Sequence, residues 1–230
     1  MNTDSRRRHS VPGSLLSLAI VADIRAWNRL GLSLDDAGDV QVGMTRLAFV
    51  DPSDGQESGI AEWTVSSDRV ERLFIDGLAT QLVFGKASPE SEPTHELGAR
   101  LIDHVVVMTP SLDRTCGAIA DATGAPLKRI REVGRGVRQG FHRLGEVIVE
   151  VVERPDIPAD TPARFWGLVL IVDDLPAVAE LLGPTLLGPV KPAVQPERLI
   201  ATVRHEAGLG MPVALMSPQI AGLRATRRRG

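Results

Sequence analysis

Residues 101–120 read LIDHVVVMTPSLDRTCGAIA, and this stretch decides the fold class. It begins with a run of mostly β-branched residues, which is typical of a buried strand. A Thr/Ser/Asp cluster follows, and beyond it apolar residues such as Cys116 and Ile119 recur at the three-to-four spacing of an amphipathic helix. The stretch therefore predicts a strand, a polar helix cap and a helix.

The same order of strand, polar cap and amphipathic helix occurs at three other places in the chain. They read LLSLAIVADIRAWNRL at residues 15–30, GIAEWTVSSDRVERLF at 59–74 and WGLVLIVDDLPAVAELL at 166–182. Recurrence of one supersecondary pattern is the signature of an internal repeat. We therefore expect four related units along the chain.

Three further strands follow the predicted helix in each of the two later units. They are expected at 126–130, 137–144 and 146–153 in the third unit, and at 190–194, 199–204 and 211–216 in the fourth. Each later unit therefore reads β-α-β-β-β. The two earlier units are shorter, because 40–50 supplies the later strands of the first and 78–84 is all that remains for the second.

These patterns predict the organisation of the chain. Residues 14–85 form a pair of shortened, degenerate modules, and residues 99–218 form the complete pair. Residues 86–98, which are rich in Ser, Pro and Glu, are expected to be a linker. Residues 1–13 and 219–230 are expected to be mobile basic tails.

The composition indicates a folded protein. The chain has 230 residues, of which 43% are hydrophobic and 24% charged, and this balance excludes a disordered chain. The single cysteine, Cys116, cannot form an internal disulfide, so we expect a reducing, cytoplasmic compartment. We interpret Cys116 as a core residue rather than a nucleophile. The longest apolar runs are far shorter than the ~18 residues of a membrane span, so we expect no membrane association.

The charge is distributed unevenly along the chain. Residues 1–13 carry a net +2 and residues 224–230 a net +4, against −3 for the whole chain, which leaves −9 for the rest. A folded body this acidic is a poor surface for nucleic acid. We therefore expect no nucleic-acid partner.

The repeats and four phrases within them resemble the vicinal oxygen chelate superfamily, which includes glyoxalases, bleomycin-resistance proteins and extradiol dioxygenases. The phrases are LIDHVVV at 101–107 with Leu112-Asp113, GEVIVEV at 145–151, GLVLIVDD at 167–174 and GLGMPVAL at 208–215. The resemblance implies an α+β fold in which paired βαβββ modules form a cupped mixed sheet, a half-barrel with the helices outside. Here a shortened, degenerate copy would precede that pair.

The resemblance also implies a divalent metal (zinc, nickel, manganese or iron) in the cup. His104 matches the first ligand position of the family and Glu150 the second, where Glu150 would also be the catalytic base. The third position falls at Gly167 and the fourth at Ala214, and neither residue has a donor side chain. His142 or His205, on the predicted third strands, would complete a site only by turning inward.

Four other residues are candidates for ligand binding in the cup. Arg138 and Arg198 lie on or beside the predicted strands that wall it, where an inward guanidinium would bind a carboxylate or phosphate. Trp166 adjoins the missing side chain at Gly167 and is placed to roof a pocket. Gln195, between two apolar residues at a strand edge, is placed to reach a ligand with its amide. For the arginines the alternative is exposure to solvent, and for Trp166 it is packing in the core.

Two function classes follow, together with a third that has no ligand. The first is a metal-dependent lyase, isomerase or dioxygenase that acts on a small oxygenated substrate. The second is a metal-independent protein that binds or sequesters a small molecule, having kept the fold and lost the chelate. The third is an interaction protein without a pocket ligand. The resemblance leaves open whether the barrel closes within one chain or in a homodimer, because members of the family do both. In the third class the shortened first half would serve only to cover the sheet edge that a half-barrel leaves open.

Overall fold

The computed structural model describes residues 13–53, 56–85 and 95–219. The first half of the chain contributes six strands and a short helix: β1 (Leu15–Val21), α1 (Ile24–Asn28), β2 (Val40–Val42), β3 (Thr45–Val50), β4 (Gly59–Ser66), β5 (Glu71–Ile75) and β6 (Leu78–Val83). The second half contributes eight strands and two helices: β7 (Ala99–Thr109), α2 (Leu112–Thr123), β8 (Arg129–Gly134), β9 (Val137–Leu144), β10 (Val147–Glu153), β11 (Arg164–Val172), α3 (Leu175–Leu186), β12 (Lys191–Pro192), β13 (Leu199–Thr202) and β14 (Val213–Met216).

The second half is a pair of βαβββ modules, which confirms the predicted fold class. Its sheet has the strand order β12-β13-β14-β11-β7-β10-β9-β8. In each module the first strand pairs in parallel with the last, β7 with β10 and β11 with β14. The two modules join where β7 and β11 run antiparallel. The first strands of both modules therefore lie at the centre of the sheet.

The first half repeats this topology with one strand fewer in each module. Its sheet has the order β2-β3-β1-β4-β6-β5, with β1 parallel to β3, β4 parallel to β6, and β1 antiparallel to β4 at the centre. The sequence indicated a shortened copy, and the pairing shows what is missing from it. The first unit lacks one of the three later strands, and the second unit lacks one of those strands and the helix as well.

Polar caps begin the helices in three of the four units. The Ser111 hydroxyl accepts a hydrogen bond from the Arg114 backbone N–H at the start of α2, and Asp174 accepts one from Ala177 at the start of α3. Asp23 does the same for α1. The prediction of a helix in the second unit is wrong, because the residues after its cap form strand β5.

A hairpin turn explains the missing helix. Asp76 and Gly77 have φ angles of 48° and 95°, the left-handed conformation that two-residue hairpin turns require, and β5 pairs with β6 across them. The Asp-Gly pair favours this turn strongly, and a strand on either side follows from it.

One core contains apolar residues of both sheets and the helices. Val105, Val107, Val149 and Val151 point into it from β7 and β10. Trp63 of β4 meets Phe165 of β11 edge to face, with ring centroids 5.2 Å apart. Because side chains alternate along a strand, the other face of the second sheet is left free of this core.

Some sequence predictions fall outside the described residues. The expected tails (1–13 and 219–230) lie almost wholly there, as does most of the expected linker (86–98). The domain boundaries stay a prediction. None of the helices in the described ranges is long and apolar enough to cross a membrane.

Candidate functional site

The free face of the second sheet forms a cup. A cavity of about 800 Å³ is lined by residues of β8 and by residues of β12, although these strands are the opposite edges of the sheet. The sheet therefore curls until its edges face each other. A second cavity of about 350 Å³ adjoins the first, and both are lined by His104, Gln139, Glu150 and Ile200.

His104 and Glu150, the two sequence-predicted ligand candidates, lie side by side in the cup. The Nε2 atom of His104 is 3.3 Å from Oε2 of Glu150, and both side chains are largely buried. They come from neighbouring parallel strands, since Ile148 pairs with His104 and Glu150 lies two residues further along β10. That spacing puts the two side chains on the same face of the sheet.

Asp103 also points into this cluster, which the sequence reasoning missed. Its Oδ2 atom is 2.8 Å from Nδ1 of His104, and its Oδ1 atom is 2.9 Å from Nη1 of Arg198. Strand alternation places neighbouring residues on opposite faces, but β7 has a bulge here. Val169 pairs with His104 and Leu170 with Ile102, so Asp103 is the extra residue on β7.

Gln139 completes a chain of polar contacts across the cup floor. Its Nε2 atom donates to Oε1 of Glu150 at 2.6 Å. The chain runs from Arg198 through Asp103, His104 and Glu150 to Gln139. Each member has a defined partner, so the polar groups are oriented before any ligand arrives.

Burial and charge move the pKa values of the two carboxyl groups in opposite directions. Burial raises the pKa of Glu150, and the charges of His104 and Arg131 offset this only in part. For Asp103, burial also acts to raise the pKa, but the hydrogen bond from His104 and the charge of Arg198 outweigh it and leave the pKa lowered. As the pH falls, Asp103 therefore keeps its negative charge longer than Glu150 does.

The residues at the two remaining family ligand positions do not fit a catalytic metal. A Cβ on Gly167 would overlap the carbonyl oxygen of Pro212, so a donor side chain has no room there. Ala214 lines the smaller cavity with a methyl group. Catalytic sites usually have three protein ligands, and no group of three or more His, Cys, Asp or Glu in the described ranges is placed to hold an ion.

The histidines that were considered as replacements lie elsewhere. His142 is buried on the core face, where its Nδ1 atom is 2.9 Å from the carbonyl oxygen of Ala125. His205 lies in a single 3₁₀ turn beyond the end of β13 and not on a strand. Neither residue lines the cup. Cys116 lies in the core as predicted, and burial raises the pKa of its thiol to about 12.

The four predicted ligand-binding residues have different positions. Trp166 lines the smaller cavity and is 41% exposed, and Gln195 lines the larger one. Arg198 lies behind Asp103, where its Nε atom also donates to the carbonyl oxygen of Ser217. Arg138 does not line the cup. It forms ion pairs with Glu153 and Asp113 beside α2, because it alternates with the cup-facing Gln139 along β9.

Solved structures share the fold over most of the chain. A triple mutant of 4-hydroxymandelate synthase from Streptomyces coelicolor aligns with 90% of this chain and 93% of its own, with a TM-score of 0.63 and 16% identity. A fusion protein of a xylose isomerase-like TIM barrel and 4-hydroxyphenylpyruvate dioxygenase aligns with 90% of this chain and 49% of its own, with a TM-score of 0.61 and 12% identity.

Shorter matches include methylmalonyl-CoA epimerase from Mycobacterium tuberculosis, at a TM-score of 0.44 and 16% identity over 54% of this chain and 91% of the epimerase. No family model matches the chain, and no curated protein matches it. At these identities the likeness concerns the fold alone.

Proposed function

We propose that this chain, which has the vicinal oxygen chelate fold, binds a small organic molecule in its cup through side chains alone, without a catalytic metal ion. One contrast carries the proposal. Two of the four family ligand positions are Gly167 and Ala214, and Pro212 blocks any side chain at the first. The cup nevertheless stays open, with a cavity of about 350 Å³ at Ala214 and the cavity of about 800 Å³ adjoining it.

The lining of the cup supports a ligand of mixed character. Small-molecule sites are mostly apolar clefts of roughly 300–1,000 Å³ with a few convergent polar groups. The apolar part of the cup wall consists of Phe141, Ile200 and Met216, and the polar groups converge at His104 and Glu150. The geometry suits a ligand that has a hydrogen-bonding group at the floor and apolar surface against the walls.

Trp166 supports the same proposal from the rim of the cup. A tryptophan ring is large and apolar, and this one is 41% exposed and lines the smaller cavity. Trp27 and Trp63, by contrast, are fully buried in the core. The exposed ring is therefore available to stack on a bound molecule.

The difference among the three tryptophans also provides the test. Protein labelled with ¹⁵N-tryptophan would be titrated with a library of small organic molecules in EDTA, and the Trp166→Phe variant would assign the resonances. The proposal predicts molecules that shift the Trp166 indole signal and leave the Trp27 and Trp63 signals in place. Molecules that act only after a divalent metal is added would contradict it.

A metal-dependent enzyme is the second candidate function. The observation that favours it is the contact between Asp103 and Nδ1 of His104, because a carboxylate on the far nitrogen is common at metal-bound histidines. His104 and Glu150 would be its only protein ligands among the described residues. The content of bound metal separates the two candidates.

A further inference from the structure

Three cations stand at the rim of the larger cavity. Arg129 and Arg131 project from β8, and Lys191 projects from β12 at the other edge of the same sheet. All three are exposed and line one cavity, because the curl of the sheet brings its edges together. Positive charge therefore faces the cavity from two sides.

None of these cations forms a salt bridge with a carboxylate of the described residues. Arginines elsewhere do, such as Arg154 with Asp156 at 2.8 Å and Arg138 with Glu153 at 2.8 Å. Arg129 lies instead over the ring of Phe141, with its guanidinium carbon 4.8 Å from the centroid. This contact holds the guanidinium against the cup wall and leaves its charge unneutralised.

The cup supplies little negative charge of its own to balance the rim. Glu150 is the only carboxylate among the residues that line the larger cavity; it contacts Gln139 and His104, and the charge of Arg131 acts on it without forming a salt bridge. Asp103, behind the floor, is paired with Arg198. Because the whole chain has a net charge of −3, the three cations at the rim do not simply reflect a basic protein.

We infer that the cup takes an organic anion. Its acidic group, a carboxylate, sulfonate or phosphate, binds between Arg131 and Lys191 at the rim, and its less polar part lies against Phe141, Ile200 and Met216. This inference rests on the proposed function and names the class of ligand. The rim cations attract the anion on approach and favour it over a neutral molecule of the same shape.

A matched pair of dyes tests the inference. 1-Anilinonaphthalene-8-sulfonate is an apolar anion, and N-phenyl-1-naphthylamine is the same ring system without the sulfonate. Their fluorescence would give Kd values for the wild-type chain, for Arg131→Gln/Lys191→Gln, and for Lys128→Gln. Lys128 is exposed beside Arg129 in sequence but does not line the cavity, so its variant controls for net charge. Ile200→Trp, which fills the cup, controls for the site.

The wild-type chain should bind the sulfonate about tenfold more tightly than the neutral dye. The double variant should lose that preference through weaker sulfonate binding alone, and Lys128→Gln should keep it. Equal binding of both dyes by the wild type, or a preference that survives the double variant, would overturn the inference and leave the proposed cup intact. Absence of binding by either dye, or binding unaffected by Ile200→Trp, would instead refute the proposed function and the inference with it.

Discussion

The Nε2 atom of His104 lies 3.3 Å from Oε2 of Glu150, across two parallel strands at the floor of the cup. The remaining family ligand positions, Gly167 and Ala214, offer no donor side chain. What remains is a buried polar pair. Asp103 contacts Nδ1 of His104, and Gln139 donates a hydrogen bond to Oε1 of Glu150. Such a pair orients a ligand by hydrogen bonds without needing an ion between its members.

Gly167→Ala should destabilise the protein by about 1–3 kcal/mol, because the new methyl group overlaps the Pro212 carbonyl and the backbone must shift. Gly117→Ala is the matched control. Gly117 lies exposed on α2 with open space around it, so the helix should gain about 0.5–1 kcal/mol there. Urea unfolding of both variants measures the two effects. An unchanged stability of Gly167→Ala would contradict the steric block by Pro212.

Arg198→Gln should destabilise the protein by roughly 3 kcal/mol, because it leaves the Asp103 carboxylate buried without its ionic partner. Arg154→Gln removes an exposed pair with Asp156 and should cost less than about 1 kcal/mol. Chemical denaturation compares the two. Adding Asp103→Asn to Arg198→Gln should restore part of the loss, and a double variant no better than the single one would contradict the pairing.

The stability of Glu150→Gln relative to wild type should rise with pH. Burial raises the pKa of Glu150 in the folded protein, so its stabilising contribution is complete below the unfolded pKa of about 4.3 and is lost as the pH rises through the folded pKa. Glutamine resembles the protonated acid and does not suffer this loss. Unfolding free energies from pH 4 to 8 give the difference curve.

Glu153→Gln provides a control of opposite sign. The hydrogen bond with Arg138 lowers the pKa of Glu153, so its contribution is present above about pH 4.3 and is lost as the pH falls through the folded pKa. The variant should be less stable than wild type at pH 7, and the gap should narrow in acid. Difference curves of the same slope for both variants would contradict the assigned environments.

Trp166→Ala should weaken binding of the neutral naphthylamine dye about three- to tenfold, because the exposed ring supplies stacking surface at the smaller cavity. Its thermal unfolding temperature should also fall, by several degrees, because more than half of the residue is buried. Fluorescence titration and calorimetry measure the two quantities. An unchanged affinity would place the dye away from this ring.

The sequence was sufficient to predict the paired βαβββ modules, because each has a strand run, a polar cap, a helical spacing and glycine turns in one order. It also led to His104 and Glu150 through the family resemblance. The helix predicted for the second unit was wrong. Its apolar residues have a spacing that suits a helix, but the Asp76-Gly77 turn makes them a strand of a hairpin.

The other features of the site could not be predicted from the pattern of apolar and polar residues along the strands. Alternation assigns Asp103 to the face opposite His104, and only the bulge in β7 reverses that assignment. Alternation along β9 likewise separates Arg138 from Gln139, but choosing which one faces the cup requires the register of β9 on β10. The cationic rim depends on the curl that brings β8 and β12 together, and local sequence does not encode that curl.

Metal content tests the central claim most directly. The purified chain would be equilibrated separately with zinc, nickel, manganese and iron(II), freed of loose metal and subjected to elemental analysis beside His104→Ala. The proposed metal-independent cup predicts no stoichiometric metal in either protein, with ligand binding unchanged by EDTA. One equivalent of a divalent metal in the wild type, lost in His104→Ala, would contradict the claim and establish the chelate at His104 and Glu150.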